Sequence, residues 1–279
     1  MCSRSREKGI AAIANIKKSY PSAANIDLLQ MDLMDLSSVV AAAKHILATE
    51  TALHGLVNNA GIMATPFEMT KDGYEAQWQT NYLAHWVFTE HLLPLMLRTA
   101  KTLPPGSVRI VNLTSAGHLG APKGGIDFND LSLMNSGPLT RYGQSKLANI
   151  LHTKTLHKTY GPGSPRARSG EGEIWVSSVH PGLVETNLAT GVDVSWMSSL
   201  ASILRLFRLI WPAEKGSWTG LFCVASPDMK AEQSNGYFEI FRRFGEPTRQ
   251  SDAAKDEKLA ERLDEWTKEA MRKQGFTDR

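Results

Sequence analysis

Residues Arg141–Ile150 read RYGQSKLANI. The stretch sets Tyr142 four residues ahead of Lys146 in a segment of helical pattern, so the two side chains share one helix face. A free phenol has a pKa of about 10, too high for proton exchange with an alcohol near neutrality. An ammonium one turn away favours the phenolate, by roughly 1–3 units for close charge partners. The pair would then form an acid/base device. Tyr and Lys at this spacing also recur on helices that do no chemistry, so the rest of the chain has to decide.

The chain of 279 residues is 42% hydrophobic and 21% charged, enough to bury a full core as one domain, 1–279. A net charge of +3 with scattered Lys and Arg gives no basic stripe for nucleic acid. Cys2 and Cys223 are the only cysteines, which is no disulfide framework and fits a reducing, cytoplasmic compartment. No apolar run reaches the roughly 18 residues that would span a bilayer. The charged start MCSRSREKG is not a signal peptide.

Helical patterns at 5–19, 36–51, 71–100 and 138–160 alternate with short apolar runs: IDLLQMD (26–32), HGLVNN (54–59), VRIVNLT (108–114) and IWVSSVH (174–180). β-rich runs between helices predict a parallel sheet covered on both faces, an α/β doubly wound domain. A helix over Ala213–Ala225, a strand around Tyr237–Phe241 and an amphipathic helix over Asp252–Lys273 complete the expectation. Pro104-Pro105-Gly106 and GPGSPRARSGEGE (161–173) read as surface loops.

Four further stretches stand in order around the Tyr–Lys helix. NNAG (Asn58–Gly61) and IVNLTSAG (110–117) end predicted strands, Asn81 lies inside QTNYLAHW, and HPGLVET (180–186) follows the next strand. Together these resemble the short-chain dehydrogenase/reductase family, over about Arg4 to Ser226. The long Ser-to-Tyr interval, with GGIDFNDLS (124–132), is similar to the retinol-dehydrogenase-like and protochlorophyllide-reductase-like branch. The resemblance implies hydride transfer between nicotinamide and an alcohol or carbonyl carbon. Tyr142 would exchange the proton with the substrate oxygen, and Lys146 would lower its pKa and hold the nicotinamide ribose. Ser115 would orient the substrate oxygen, and Asn81 would steady a water that relays protons to Lys146. No metal is implied, and His85, His91, His118, His152, His157 and His180 form no metal-ligand spacing with a cysteine.

The segment SRSREKG (3–9) resembles the one after the second strand in family members that use NADP(H). It makes Arg4 the contact for the 2′-phosphate, where an acidic residue would favour NAD. Asp32 and Leu33 correspond to the pair at the adenine. Asn59, Val184 and Thr186 match positions along the ribose and the nicotinamide amide. The departure from the family is the TGxxxGxG turn that cradles the pyrophosphate on a helix N-terminus, which the chain does not contain. The expectation is of an N-terminally truncated fold lacking the first strand, its helix and most of the second strand. Strand 3 (26–32) and strand 4 (56–59) would then stand about 14 Å apart, from a spacing of about 4.8 Å per strand.

The apolar segment SWMSSLASILRLFRLIW (195–211), within a lid at 187–212, implies a lipophilic substrate, with Arg205 and Arg208 also allowing contact with a membrane surface. In the family the helices carrying Asn81 and Tyr142 form a dimer face, so the resemblance implies a homodimer. The alternative is an inactive, truncated paralogue acting only through that dimerisation.

Overall fold

The computed structural model describes residues 1–23, 25–182, 213–240 and 243–278. The predicted lid at 187–212, with Val184 and Thr186, lies outside the described residues. The chain builds a doubly wound α/β fold from parallel strands and crossover helices. The strands are β1 (Cys2–Ser3), β2 (Leu29–Gln30), β3 (Gly55–Asn58), β4 (Arg109–Leu113), β5 (Trp175–His180) and β6 (Tyr237–Glu239). Every pairing between them is parallel.

Strands β4 and β5 are buried along their whole length, as expected of strands covered on both faces. Their alternate residues divide two cores. Ile110 and Val176 face the helices α2 (Leu36–Thr49), α4 (Ala84–Lys101) and α5 (Pro138–Tyr160). Val111, Leu113 and Val179 face Phe222 and Cys223 of the helix over Ala213–Ala225 on the other side.

The predicted helices at 36–51, 138–160 and 213–225 form as expected, and three details differ. The helix expected from 71 starts only at Ala76, where the Glu75 carboxylate accepts from Trp78 N at 2.8 Å. It then opens into a π-turn over Gln79–Leu83 before α4. The loop at 161–173 holds a short helix, Pro165–Arg168, because Ser164 caps it and proline suits its first position. The C-terminal helix is broken at Asp256, whose carboxylate caps Glu257–Lys273 by accepting from Leu259 N at 3.0 Å.

The start of the chain also departs from the expectation. Cys2–Ser3 is itself a strand and pairs with Leu29–Gln30, so the second strand is represented. The expected strand over 26–32 shrinks to two residues because its partner is only two residues long. Among the described residues no ladder joins this pair to the sheet β3-β4-β5-β6. Val57, on the outer strand of that sheet, is 45% exposed, unlike the residues of β4.

The amphipathic helix Glu257–Lys273 lies on the helices that carry Asn81 and Tyr142. Ala260, Leu263 and Met271 enter the main core, and Trp266 meets Tyr74 and Trp78 edge-on, each at 6.3 Å. The buried hydroxyls of Thr267 and Tyr82 hydrogen-bond at 2.7 Å. Leu263→Ala should therefore cost about 2–5 kcal/mol of stability. Thr267→Val, which strands the Tyr82 hydroxyl, should cost about 1–3 kcal/mol. Urea unfolding checks both, and an unchanged midpoint for Leu263→Ala would show that this helix is not part of the core.

Candidate active site

The site grows from the end of β4. Past Leu113 the backbone stays extended through Ser115, whose hydroxyl accepts from Gly117 N at 3.0 Å and caps the 3-10 turn Ala116–Gly120. That turn lies directly on α5. A Cβ at Gly143 would stand 2.7 Å from the carbonyl carbon of Gly120, a backbone atom that cannot swing away. Glycine after Tyr142 thus lets the two backbones touch, and the buried Tyr142 hydroxyl hydrogen-bonds the Ser115 side chain.

One turn further along α5, Lys146 is buried and donates from Nζ to Leu113 O at 3.1 Å. Asn149 Nδ2 donates to the same carbonyl at 2.9 Å, and Thr114 Oγ1 donates to Lys146 O at 2.7 Å. Helix and strand end are therefore stitched together around the lysine. Its ammonium lies 5.7 Å from the centre of the Tyr142 ring. Burial holds the Lys146 pKa down to about 8. The Tyr142 phenol stands above its ordinary value, because burial outweighs the Ser115 hydrogen bond. The lowering expected from Lys146 is not realised in the chain by itself.

Asn81 sits wholly buried in the π-turn. Its side chain accepts from Ile62 N at 2.8 Å and donates to Ile62 O at 2.9 Å, closing the loop that follows NNAG. It also donates to Ser145 Oγ at 2.9 Å, which in turn donates to Tyr142 O at 2.8 Å. Gly61 is the narrow point between these parts. A Cβ there would lie 2.8 Å from Asn81 Oδ1 and 3.3 Å from Lys146 Nζ. Ser115, Tyr142, Lys146 and Asn81 are thus brought into one cluster.

The other expected contacts lie at strand ends around it. Asn59 is exposed just past β3, its N–H on Val57 O at 3.0 Å. Arg4 follows β1 and is exposed, with Gln30 Nε2 donating to its carbonyl at 3.1 Å. Asp32 caps the next turn by accepting from Met34 N at 3.0 Å. The Leu33 side chain is buried in the core, and its carbonyl accepts from Gln79 Nε2 at 3.3 Å.

Sequence reasoning missed a buried polar network behind the site. Asn58 Nδ2 donates to Asn112 Oδ1 at 2.8 Å and to Thr89 Oγ1 at 3.0 Å, and Asn112 Nδ2 donates to Thr153 Oγ1 at 3.0 Å. The available signal was one asparagine in each of two otherwise apolar strands, since a buried amide must find partners.

A proton-exchanging phenol beside a buried amine, at the C-terminal ends of parallel strands, defines an α/β oxidoreductase site. The chain belongs to the short-chain dehydrogenase/reductase family. Residues 1–126 match the family described as short chain dehydrogenase. The chain is 48% identical over 281 residues to the short-chain dehydrogenase/reductase drtF of Aspergillus calidoustus, covering 100% of this chain and 87% of that one. It is 33% identical over 258 residues to retinol dehydrogenase 12 of Mus musculus, covering 92% of this chain and 72% of that one. A structure of NADPH-bound carbonyl reductase from chicken fatty liver has the same fold, with TM-score 0.57 at 18% identity over 89% of this chain and 86% of that one. The protein is an enzyme acting on CH–OH or C=O groups with a nicotinamide cofactor.

The buried lysine makes a stability prediction. Its pKa of about 8 lies below the unfolded value of about 10.4. Below pH 8 both states hold the proton, and the cost of burying the charge stands in full. Between about pH 8 and 10.4 the unfolded state binds more protons, so this group makes stability rise with pH. Lys146→Met should abolish that rise and stabilise the fold at pH 7, by about 3 kcal/mol at most. Urea midpoints across this pH range check it, and a Met variant with the parent's slope would show that Lys146 is not buried as a cation.

Proposed function

We propose that the chain is an NADP(H)-dependent oxidoreductase acting on a lipophilic alcohol or carbonyl compound. The observation that carries this reading is the single cluster of Ser115, Tyr142, Lys146 and Asn81. In reduction, Tyr142 gives its phenolic proton to the substrate oxygen as that oxygen becomes an alkoxide, and Ser115 hydrogen-bonds the same oxygen. Lys146 stabilises the phenolate left behind, and Asn81 holds the loop at Gly61 against Lys146. In oxidation the same groups run in reverse.

Bound NADP(H) supplies or accepts the hydride. The residues present suit its two ends: Lys146 and Asn59 lie where the resemblance puts the nicotinamide ribose, and Arg4 and Asp32 where it puts the adenosine 2′-phosphate and base. Gly61 leaves open space beside Lys146 that any side chain would fill. The exposed guanidinium at the end of β1, with no acidic residue between Ser3 and Arg6, favours the 2′-phosphate. Val184 and Thr186 would complete the nicotinamide end. The chicken carbonyl reductase, solved with NADPH, supports the choice at the level of fold.

A lipophilic substrate is supported by the apolar sequence at 195–211 and by the retinol named in the mouse relative. The helix Glu257–Lys273 covers the face that the resemblance assigns to dimerisation, so we take self-association, where it occurs, to use another surface. An inactive chain working only by pairing through that face is disfavoured for the same reason.

Tyr142→Phe should remove NADPH-dependent reduction of lipophilic aldehydes and ketones while leaving NADPH affinity nearly unchanged. Turnover within tenfold of the parent, a barrier difference of about 1.4 kcal/mol, would exclude Tyr142 as the acid.

The cofactor reading has its own test. The parent should bind NADPH more tightly than NADH, and Arg4→Asp should reverse the order in a fluorescence titration. Equal affinities in the parent would remove Arg4 as the phosphate contact.

A further inference from the structure

The mechanism above leaves His85 without a task. It is 5% exposed, one turn past Asn81, and its Nδ1 lies 3.1 Å from Asn81 O. A carbonyl only accepts, so Nδ1 carries the proton and the tautomer is fixed. The contact depends on the π-turn over Gln79–Leu83, where the backbone leaves the ordinary helical ladder. His85 is anchored in turn: Thr89 Oγ1 donates to its carbonyl at 2.7 Å, and Asn58 Nδ2 donates to that hydroxyl at 3.0 Å. Lys146 and His152, both on α5, are the charged or titratable groups that face it.

We propose that His85 is a positioning residue for Lys146, acting through the hydrogen bond from its Nδ1–H to the Asn81 carbonyl. The inference rests on the catalytic reading of Asn81 and Lys146. The Asn81 side chain is fixed by Ile62 and Ser145, but those bonds leave its carbonyl unrestrained. His85 supplies that restraint with a donor of set direction. The donor must stay neutral, because an imidazolium would put a second cation beside Lys146. Burial and the Lys146 charge hold the His85 pKa near 4, and burial holds that of His152 near 3, so both are neutral wherever Lys146 titrates. A carbonyl held in place next to Lys146 favours its protonated form, and through it the Tyr142 phenolate. Losing the restraint should leave the ammonium less well solvated and easier to deprotonate.

The test uses the geometry of amide substitutes. Asn at this position places a donor where His Nδ1 stands; Gln places one where Nε2 stands; Leu places none. The full chain is labelled at lysine Nζ, and Lys146, assigned by its loss in Lys146→Met, is followed by NMR titration. The parent should show it near 8. His85→Asn should leave it within about 0.3 unit, and His85→Gln and His85→Leu should lower it by about half a unit or more. NADPH affinity should stay within about threefold in all three, while the pH limb of alcohol oxidation shifts upward in Gln and Leu only. An unmoved Lys146 in Gln and Leu would reduce His85 to core packing. An Asn variant that behaves like Leu, or that fails to fold, would exclude Nδ1 as the acting group. Should Leu not fold, the Asn–Gln contrast alone decides. Because the titration needs no turnover, its outcome is separable from that of Tyr142→Phe.

Discussion

An ammonium buried against a backbone carbonyl is the constraint around which this site is arranged. No carboxylate bonds to Lys146 among the described residues, so Leu113 O carries the hydrogen bond and Asn149 braces the same oxygen. A buried cation with only dipoles for partners is held at a cost. What keeps it in place is geometry: the Thr114 hydroxyl on its own carbonyl, a helix that touches the turn after β4 backbone to backbone, and a loop whose Gly61 offers no side chain to push it away.

Rigidity comes from behind. The Asn58–Asn112–Thr153 network ties β3, β4 and α5 together by side chains, in a core where apolar packing alone would allow sliding. Satisfied networks of this kind specify one arrangement because any shift strands a buried amide. The same Asn58 reaches α4 through Thr89, so the strand that carries NNAG also fixes the helix that carries Asn81. Catalytic groups from three separate segments thereby move as one body.

Much of this was legible in the sequence, for identifiable reasons. The Tyr142–Lys146 spacing, the strand-end Ser115 and the boundaries of α5 follow from local periodicity and were read correctly. The length of β2 was not, because a strand's extent is set by its partner, and Cys2–Ser3 was taken as a basic tail rather than a strand. The π-turn left no trace, since QTNYL is as good a helix sequence as its flanks. The upward displacement of the Tyr142 pKa was also hidden: proximity of Lys146 could be read from spacing, whereas the burial that opposes it could not. Histidines at 85 and 152 looked like ordinary core residues for the same reason.

The C-terminal helix shows how one local pattern alters what the family fold presents. Its apolar stripe was evident, but not which surface it would take. By seating Leu263, Trp266 and Thr267 on Tyr74, Trp78 and Tyr82, it braces the π-turn from outside while the Asn58 network braces α4 from within. Asn81 is the residue between these two supports. Its amide bonds to the Gly61 loop and to Ser145, and so measures the distance between α5 and the rest of the site. A surface that family resemblance would give to a second subunit is here spent on holding that distance within one chain. Loosening the terminal helix should therefore disturb the Tyr142–Lys146 pair before it unfolds the sheet, because the strands β4 and β5 are enclosed independently of it on their far face by Phe222 and Cys223.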